Sequence, residues 1–184
     1  GGYGQSAYDA DELKVAGGIA GEPVEIVKCL TVDIEVPATA EIVIEGEFPT
    51  DALEPEGPFG EAHGYMGPTH IGPYFNVKGI THRRNPIYNA MVSQFSPSES
   101  TKLREVGNRA SYYKFLRYDC SNPGVLDVAF PESCASQLYC VVQINKTAAV
   151  DPWQVLNGVV AYNSATPKIV VVVDKDIDPN DMDA

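Results

Sequence analysis

Three strand-length apolar runs and one helix-length run in the second half of the chain most constrain its fold. "VLDVAF" (125–130), "LYCVVQI" (138–144) and "KIVVVVD" (168–174) are short and rich in β-branched residues, and both of their faces are apolar. A sheet tolerates such strands where both faces are covered. Between the last two lies "DPWQVLNGVVAY" (151–162), with Asp151 placed to cap a helix and Pro152 in its first turn. Strand, helix and strand joined by short links predict a βαβ crossover with a buried parallel pair.

A further helix is expected just upstream, in "SPSESTKLREVGNRASYYKFLRY". Ser96 followed three residues later by Glu99 reads as a capping box, with Pro97 at the first helical position. Leu103, Val106, Ala110 and Tyr113 recur at helical spacing, and Gly107 is a weak point. The first half differs in character. "DADELKVAGGIAG" reads as a short helix or turn ending in glycines, and 24–36 and 41–48 read as strands closed by Pro37 and Pro49. Residues 74–83 and 87–93 read as a hairpin turning at Arg84-Asn85-Pro86. The expected fold class is mixed α+β: a mainly antiparallel portion at 1–98, followed by an α/β portion at 99–184.

Composition excludes several functions. The 25 acids outnumber 13 Lys and Arg for a net charge of −12, and "HRR" at 82–84 is the sole basic cluster, so nucleic acid is a poor partner. No apolar run approaches the roughly 20 residues that span a bilayer, so no membrane span is expected. Cys29, Cys120, Cys134 and Cys140 lack C-x-x-C spacing, which argues against zinc and for free thiols in a reducing cytoplasm. The opening residues have neither the basic start nor the apolar core of a signal peptide, and both ends read as the inside of a longer chain.

The candidate chemistry lies in "EPEGPFGEAHGY" (54–65), where Glu56 and Glu61 flank a Gly-Pro-Phe-Gly turn. Gly57 and Gly60 can take positive φ and Pro58 fixes another dihedral. Such a turn can aim two acids into one cleft, where burial and repulsion split their pKa values and leave one ionised and one protonated. The same spacing also fits a rigid surface turn whose carboxylates cap backbone amides. His63 reads as scaffold, and His70 and His82 as loop residues. Glu12 reads first as a helix cap and second as a metal ligand. "DKDIDPNDMD" (174–183) lacks the glycine and closing glutamate of a calcium loop and reads as a turn, with Asp178 or Asn180 capping a following helix.

At "VPATAEIVIEGEF", "PEGPFGEAHGY" and "KIVVVVDKDIDPND" the chain closely resembles the UbiD family of decarboxylases, with "PEGPFGE" the most specific of the three. The resemblance implies that 1–98 is the later part of a flavin-binding split β-barrel and 99–184 the start of a C-terminal domain used for oligomerisation. It implies prenylated FMN as cofactor, with Mn2+ or Mg2+, and K+ as a further candidate ion. Glu56 would pair with an arginine, Glu61 would protonate the carbon left after loss of carbon dioxide, and Glu12 would ligate the metal. Phe59 and Tyr65 would help form dry walls that raise the pKa of one acid, and the loop near "SPSEST" would line the substrate pocket.

The implied substrate is an aromatic or α,β-unsaturated carboxylic acid, and a flavin prenyltransferase would supply the cofactor. In the family, the arginine and the Asn and His metal ligands lie upstream of the segment matching residue 1. The chain is therefore expected to need a missing N-terminal portion or companion chain, to form a dimer or higher homo-oligomer, and to be inactive alone. The competing expectation is a non-catalytic oligomerisation or scaffold module descended from such an enzyme. A flavin reductase is a third reading, from fold analogy alone.

Overall fold

The computed structural model describes residues 11–92 and 95–181, which divide into two compact units: 11–59 with 66–90, and 60–65 with 91–92 and 95–181. Among the described residues no helix is long and apolar enough to cross a membrane.

The first unit opens with α1 (Glu12–Ala20). Asp11 caps it, Oδ1 accepting from the amides of Leu13 at 3.0 Å and Lys14 at 3.3 Å. The Lys14 amide bond is the main cause that holds the Asp11 carboxyl below its ordinary pKa. Gly21, at φ 80°, ends the helix as the predicted glycine stop. Three antiparallel two-stranded sheets follow: β1 (Ile26–Lys28) with β2 (Glu35–Pro37), β3 (Ile42–Glu47) with β6 (Asn76–His82), and β4 (Glu54–Glu56) with β5 (His70–Gly72).

Two of the expected strand arrangements do not form. Residues 24–36 do not form one strand but contribute to the β1–β2 pair, because the buried Glu45 carboxylate gathers the intervening loop. It accepts from the amides of Leu30 (3.0 Å) and Thr31 (2.6 Å) and from the Thr31 hydroxyl (2.7 Å). The 74–83 and 87–93 hairpin is also absent over its described residues: β6 pairs with β3, and 87–92 contain no strand. Glu41 redirects the chain there, pairing with Arg83 at 3.1 Å and accepting from the Ile87 amide at 3.1 Å. Opposite Glu45, Ile44 and its cross-strand partner Ile80 are exposed.

The second unit holds the main core. β7 (Val125–Ala129) pairs antiparallel with β8 (Tyr139–Ile144), and β8 pairs parallel with β9 (Ile169–Asp174) across α3 (Asp151–Tyr162), which is the predicted crossover. Phe130, Val128, Cys140 and Val142 from the sheet region pack with Tyr112, Leu116, Val155 and Val159 from the helices. Burial pushes the Cys140 thiol up to about 12, so it behaves as a small hydrophobe. All four cysteines are free, though Cys120 is exposed rather than packed among apolar residues. The Tyr112 phenol is raised by burial and donates to the Thr166 carbonyl at 2.8 Å.

Helix α2 (Glu99–Lys114), which continues into a π-helical turn at Phe115–Asp119, departs from expectation in start and facing. Its cap is Ser98, in a reciprocal box with Thr101, and not Ser96; the Ser96–Pro97 peptide is cis and lies before the helix. Glu99 instead accepts from the Val92 amide at 3.1 Å. The inner face carries Thr101, Asn108, Tyr112 and Leu116, while Leu103 and Val106 are exposed. Polar contacts set this rotation: Thr101 donates to Glu132, Arg104 to the Ala135 carbonyl and Asn108 to the Ser136 carbonyl. The helix runs unbroken through Gly107.

Asp151 likewise faces backward. Its Oδ2 accepts from the Thr147 amide and hydroxyl and from the Ala148 amide at 2.7–2.9 Å, so it braces the loop before α3 and does not cap the helix. At the end of the described chain Asp178 accepts from the Asn180 amide at 2.9 Å in a turn; the expected following helix lies outside the described residues.

Phe130→Ala is expected to destabilise the second unit by about 3–5 kcal/mol in urea unfolding, the cost of emptying a packed aromatic site. Glu45 makes a different prediction. Its hydrogen bonds, the Leu30 amide first, hold its folded pKa below the ordinary carboxylate value. The stability it contributes is therefore present above that ordinary value, about 4.3, and is lost as pH falls through the depressed folded pKa. Glu45→Gln should lower the unfolding midpoint of the first unit at neutral pH and remove part of its acid dependence. Intrinsic probes of that unit followed between pH 7 and pH 3 check both.

Candidate active site

Glu56 ends β4, and the β4–β5 register sets it opposite His70. The His70 Nε2 lies 3.2 Å from Glu56 Oε2, with both side chains about half exposed. Gly72 leaves room for this carboxylate, since a Cβ there would stand 3.1 Å from Glu56 Oε2. Gly57 follows at φ 87° and the Gly57–Pro58 peptide is cis. The Phe59 carbonyl then accepts from the Gly67 amide at 2.8 Å. The Gly-Pro-Phe-Gly segment is thus a hydrogen-bonded, shaped turn. His70 had no functional reading in the sequence; its signal was its position opposite Glu56, which only the strand register exposes.

Glu61 belongs to the second unit, in a strap at 60–65. Its amide donates to the Tyr65 carbonyl at 2.8 Å and its carbonyl accepts from the Gly64 amide at 2.9 Å, so its backbone is held from both sides. His63 forms an antiparallel bridge with Phe95, and its ring lies 5.7 Å from that of Tyr65, the scaffold part expected of it. Gly64 is at φ 87°, and a Cβ there would come within 2.8 Å of the Phe95 ring. Glycine is therefore required twice over, by dihedral and by space.

Beside the strap, wholly within the second unit, lies a cavity of about 590 Å³. Ala62 and His63 line it directly after Glu61, with Phe95, Leu138 and Ile169 among its mainly apolar walls. Both acids are themselves exposed, as are Phe59 (51%) and Tyr65 (75%). The dry walls expected around them are not found among the described residues, which leave Phe59 and Tyr65 each at least half exposed.

Glu12 sits exposed in the first turn of α1, whose cap is Asp11. Among the described residues no group of three His, Cys, Asp or Glu side chains is arranged to hold a metal ion. One carboxylate does not make a metal centre, so the described residues do not by themselves fit the implied Mn2+ or Mg2+.

Each unit thus carries one of the two acids, Glu56 on the β4–β5 pair and Glu61 on the clamped strap beside the cavity. The profile of the 3-octaprenyl-4-hydroxybenzoate carboxy-lyase Rift-related domain matches residues 4–95, and that of its C-terminal domain matches 101–184. The chain belongs to the UbiD family. It is 36% identical over 172 residues to an uncharacterised protein of Archaeoglobus fulgidus, covering 93% of this chain and 35% of that one. Among solved structures it is similar to an evolved dimeric form of the UbiD-class enzyme HmfF from Pelotomaculum thermopropionicum, in complex with prFMN. That match has a TM-score of 0.87 at 34% identity and covers 97% of this chain and 41% of that one. It is also similar to the vanillic acid decarboxylase of Sedimentibacter hydroxybenzoicus in open form, with a TM-score of 0.81 at 26% identity over 95% of this chain and 37% of that one. The chain spans about a third of the length of the Archaeoglobus relative.

Gly64→Ala should cost about 1–2 kcal/mol through the left-handed dihedral alone, with more from the Phe95 overlap. Chemical unfolding of the 184-residue chain measures the loss, and amide exchange at Glu61 should quicken as the strap loosens.

Proposed function

We propose that the chain forms part of a UbiD-class, non-oxidative, reversible decarboxylase of aromatic or α,β-unsaturated carboxylic acids, with Glu61 as proton donor to carbon. The observation that carries this reading is the backbone clamp on Glu61 next to an apolar cavity, in a chain matched by both UbiD domain profiles. In the forward direction the substrate carboxylate leaves as carbon dioxide and its bonding pair stays with the rest of the molecule. The Glu61 carboxylic acid delivers a proton to that carbon, becomes a carboxylate, and regains its proton from water. In reverse, the Glu61 carboxylate removes the proton and carbon dioxide adds. Prenylated FMN, when bound, supplies the electron sink for the bond cleavage.

Glu56 touches His70 and, in this reading, pairs with an arginine outside this chain. Glu12 contributes one ligand to a divalent cation whose remaining ligands also lie outside it. The first unit is the later part of a split β-barrel in this reading, and exposed Ile44 and Ile80 are what a sheet looks like before its covering layer is supplied. The missing layer and the arginine come from the rest of a longer protein or a companion chain, in a cytoplasmic setting. The outward stripes Leu103 with Val106 and Trp153 with Val160 fit a homo-oligomer contact and keep the scaffold alternative in view.

Glu61→Gln in the longer parent protein, loaded with prenylated FMN, is expected to lower decarboxylation by about 10²–10⁴-fold and to abolish deuterium exchange at the reacting carbon. Unchanged values for both would remove the proton-donor role. The 184-residue chain given prenylated FMN and Mn2+ is expected to show no turnover, and appreciable decarboxylation would overturn its reading as a partial site.

A further inference from the structure

The antiparallel register of β4 and β5 sets Glu54 opposite Gly72 and Glu56 opposite His70, so these four positions share one face of the pair, and Pro55 and Ile71 share the other. His70 Nε2 stands 3.2 Å from Glu56 Oε2. A ring nitrogen that close to a carboxylate oxygen carries its proton, because two lone pairs facing each other repel. The contact lies over buried Gly72, where a Cβ would come within 3.1 Å of Glu56 Oε2 and 3.7 Å of the His70 ring. A side chain at position 72 would therefore press on both partners. Glu54 adds a second carboxylate to the same face, and His70 is the one residue of the two strands whose side chain can present an N–H or a positive charge to either acid.

Resting on the reading above, in which Glu56 pairs with an arginine outside this chain, we infer that His70 is a positioning residue for that acid. The imidazole holds Oε2 over Gly72, and the carboxylate presents its other acceptor sites to the incoming arginine. A carboxylate has about four such sites on its two oxygens, so one contact at Oε2 leaves room for a two-armed guanidinium. A glutamate on an open strand pair otherwise samples several staggered rotamers, and a ring on the neighbouring strand narrows that choice before the arginine arrives. His70 acts on the reaction through Glu56, with no proton transfer of its own.

Two measurements test this. In the 184-residue chain, NMR relaxation at the Glu56 γ-methylene reports how firmly the side chain is held. Its order parameter should drop below about 0.6, the flexible range, in His70→Ala. His70→Gln should retain the wild-type value, because the glutamine amide nitrogen lies as many bonds from the backbone as the imidazole Nε2. In the longer parent protein loaded with prenylated FMN, His70→Ala should lower kcat/KM about two- to fivefold, the span an exposed ion pair supplies, and His70→Gln should recover it. In a Glu56→Asp background, whose carboxylate is a methylene shorter, His70→Ala should cause no further loss. A residue that only supports the hairpin would cause the same loss in both backgrounds. The inference is overturned if the Glu56 order parameter is unmoved in His70→Ala, if His70→Gln behaves as His70→Ala does, or if the loss from His70→Ala is undiminished by Glu56→Asp. A parent protein without turnover defeats the decarboxylase reading, and the relaxation measurement then decides His70 by itself. Turnover with a freely mobile Glu56 side chain in the wild-type chain defeats the positioning inference alone.

Discussion

The parallel register of β8 and β9 is the constraint on which the second unit depends. A parallel pair needs a crossover, and α3 supplies it while setting Val155 and Val159 into the core beneath the sheet. With those strands fixed, Tyr112 and Leu116 have an apolar bed, and the helix that carries them takes one rotation. Leu138 and Ile169, at the entrance to the same two strands, then become walls of the cavity. This part of the cavity wall and the core are consecutive stretches of the same strands.

What could be read from sequence follows the range of the interactions involved. The three apolar strands and the crossover helix of the second half were legible because runs of β-branched residues mark strands locally, although the parallel pair is not buried on both faces as expected: β9 is only partly covered and its Ile169 is exposed. The α1 stop was legible because Gly21 meets a purely local backbone demand. The facing of α2 was not. Leu103 and Val106 have the right spacing for a buried stripe, but Thr101, Arg104 and Asn108 find partners 28–31 residues away, and those bonds turn the apolar stripe outward. Ser96 fails as a cap for a local reason: the hydroxyl two residues later caps the helix, and Thr101, three residues further on, answers it.

The candidate site divides in a similar way. Glu56 and Glu61 stood out through the glycines and proline between them, and the structure does make that segment a shaped turn. The Glu56–His70 contact depends on strand pairing across fourteen positions of chain, and no local pattern announces it. Desolvation of the acids was expected from family resemblance and is not a property of this stretch by itself. Burial is a collective quantity, and this chain spans about a third of the length of the Archaeoglobus relative.

The strap at 60–65 has a consequence for how this polypeptide can be assembled. His63 pairs with Phe95, yet residues 66–90 belong to the other unit, so the second segment of one unit is strung between two segments of its neighbour. Closing the intervening stretch costs entropy that grows only slowly with its length, which makes the arrangement tolerable, but the order of events is fixed. On a ribosome the strap emerges first and must wait for the thirty-odd residues behind it before its partner appears. A shortened gene beginning at α2 could still encode the three-stranded sheet and both packed helices, but it would be born without one wall of the cavity. Inheritance of the cavity and inheritance of the core are therefore separable, even though they lie within a single folded unit.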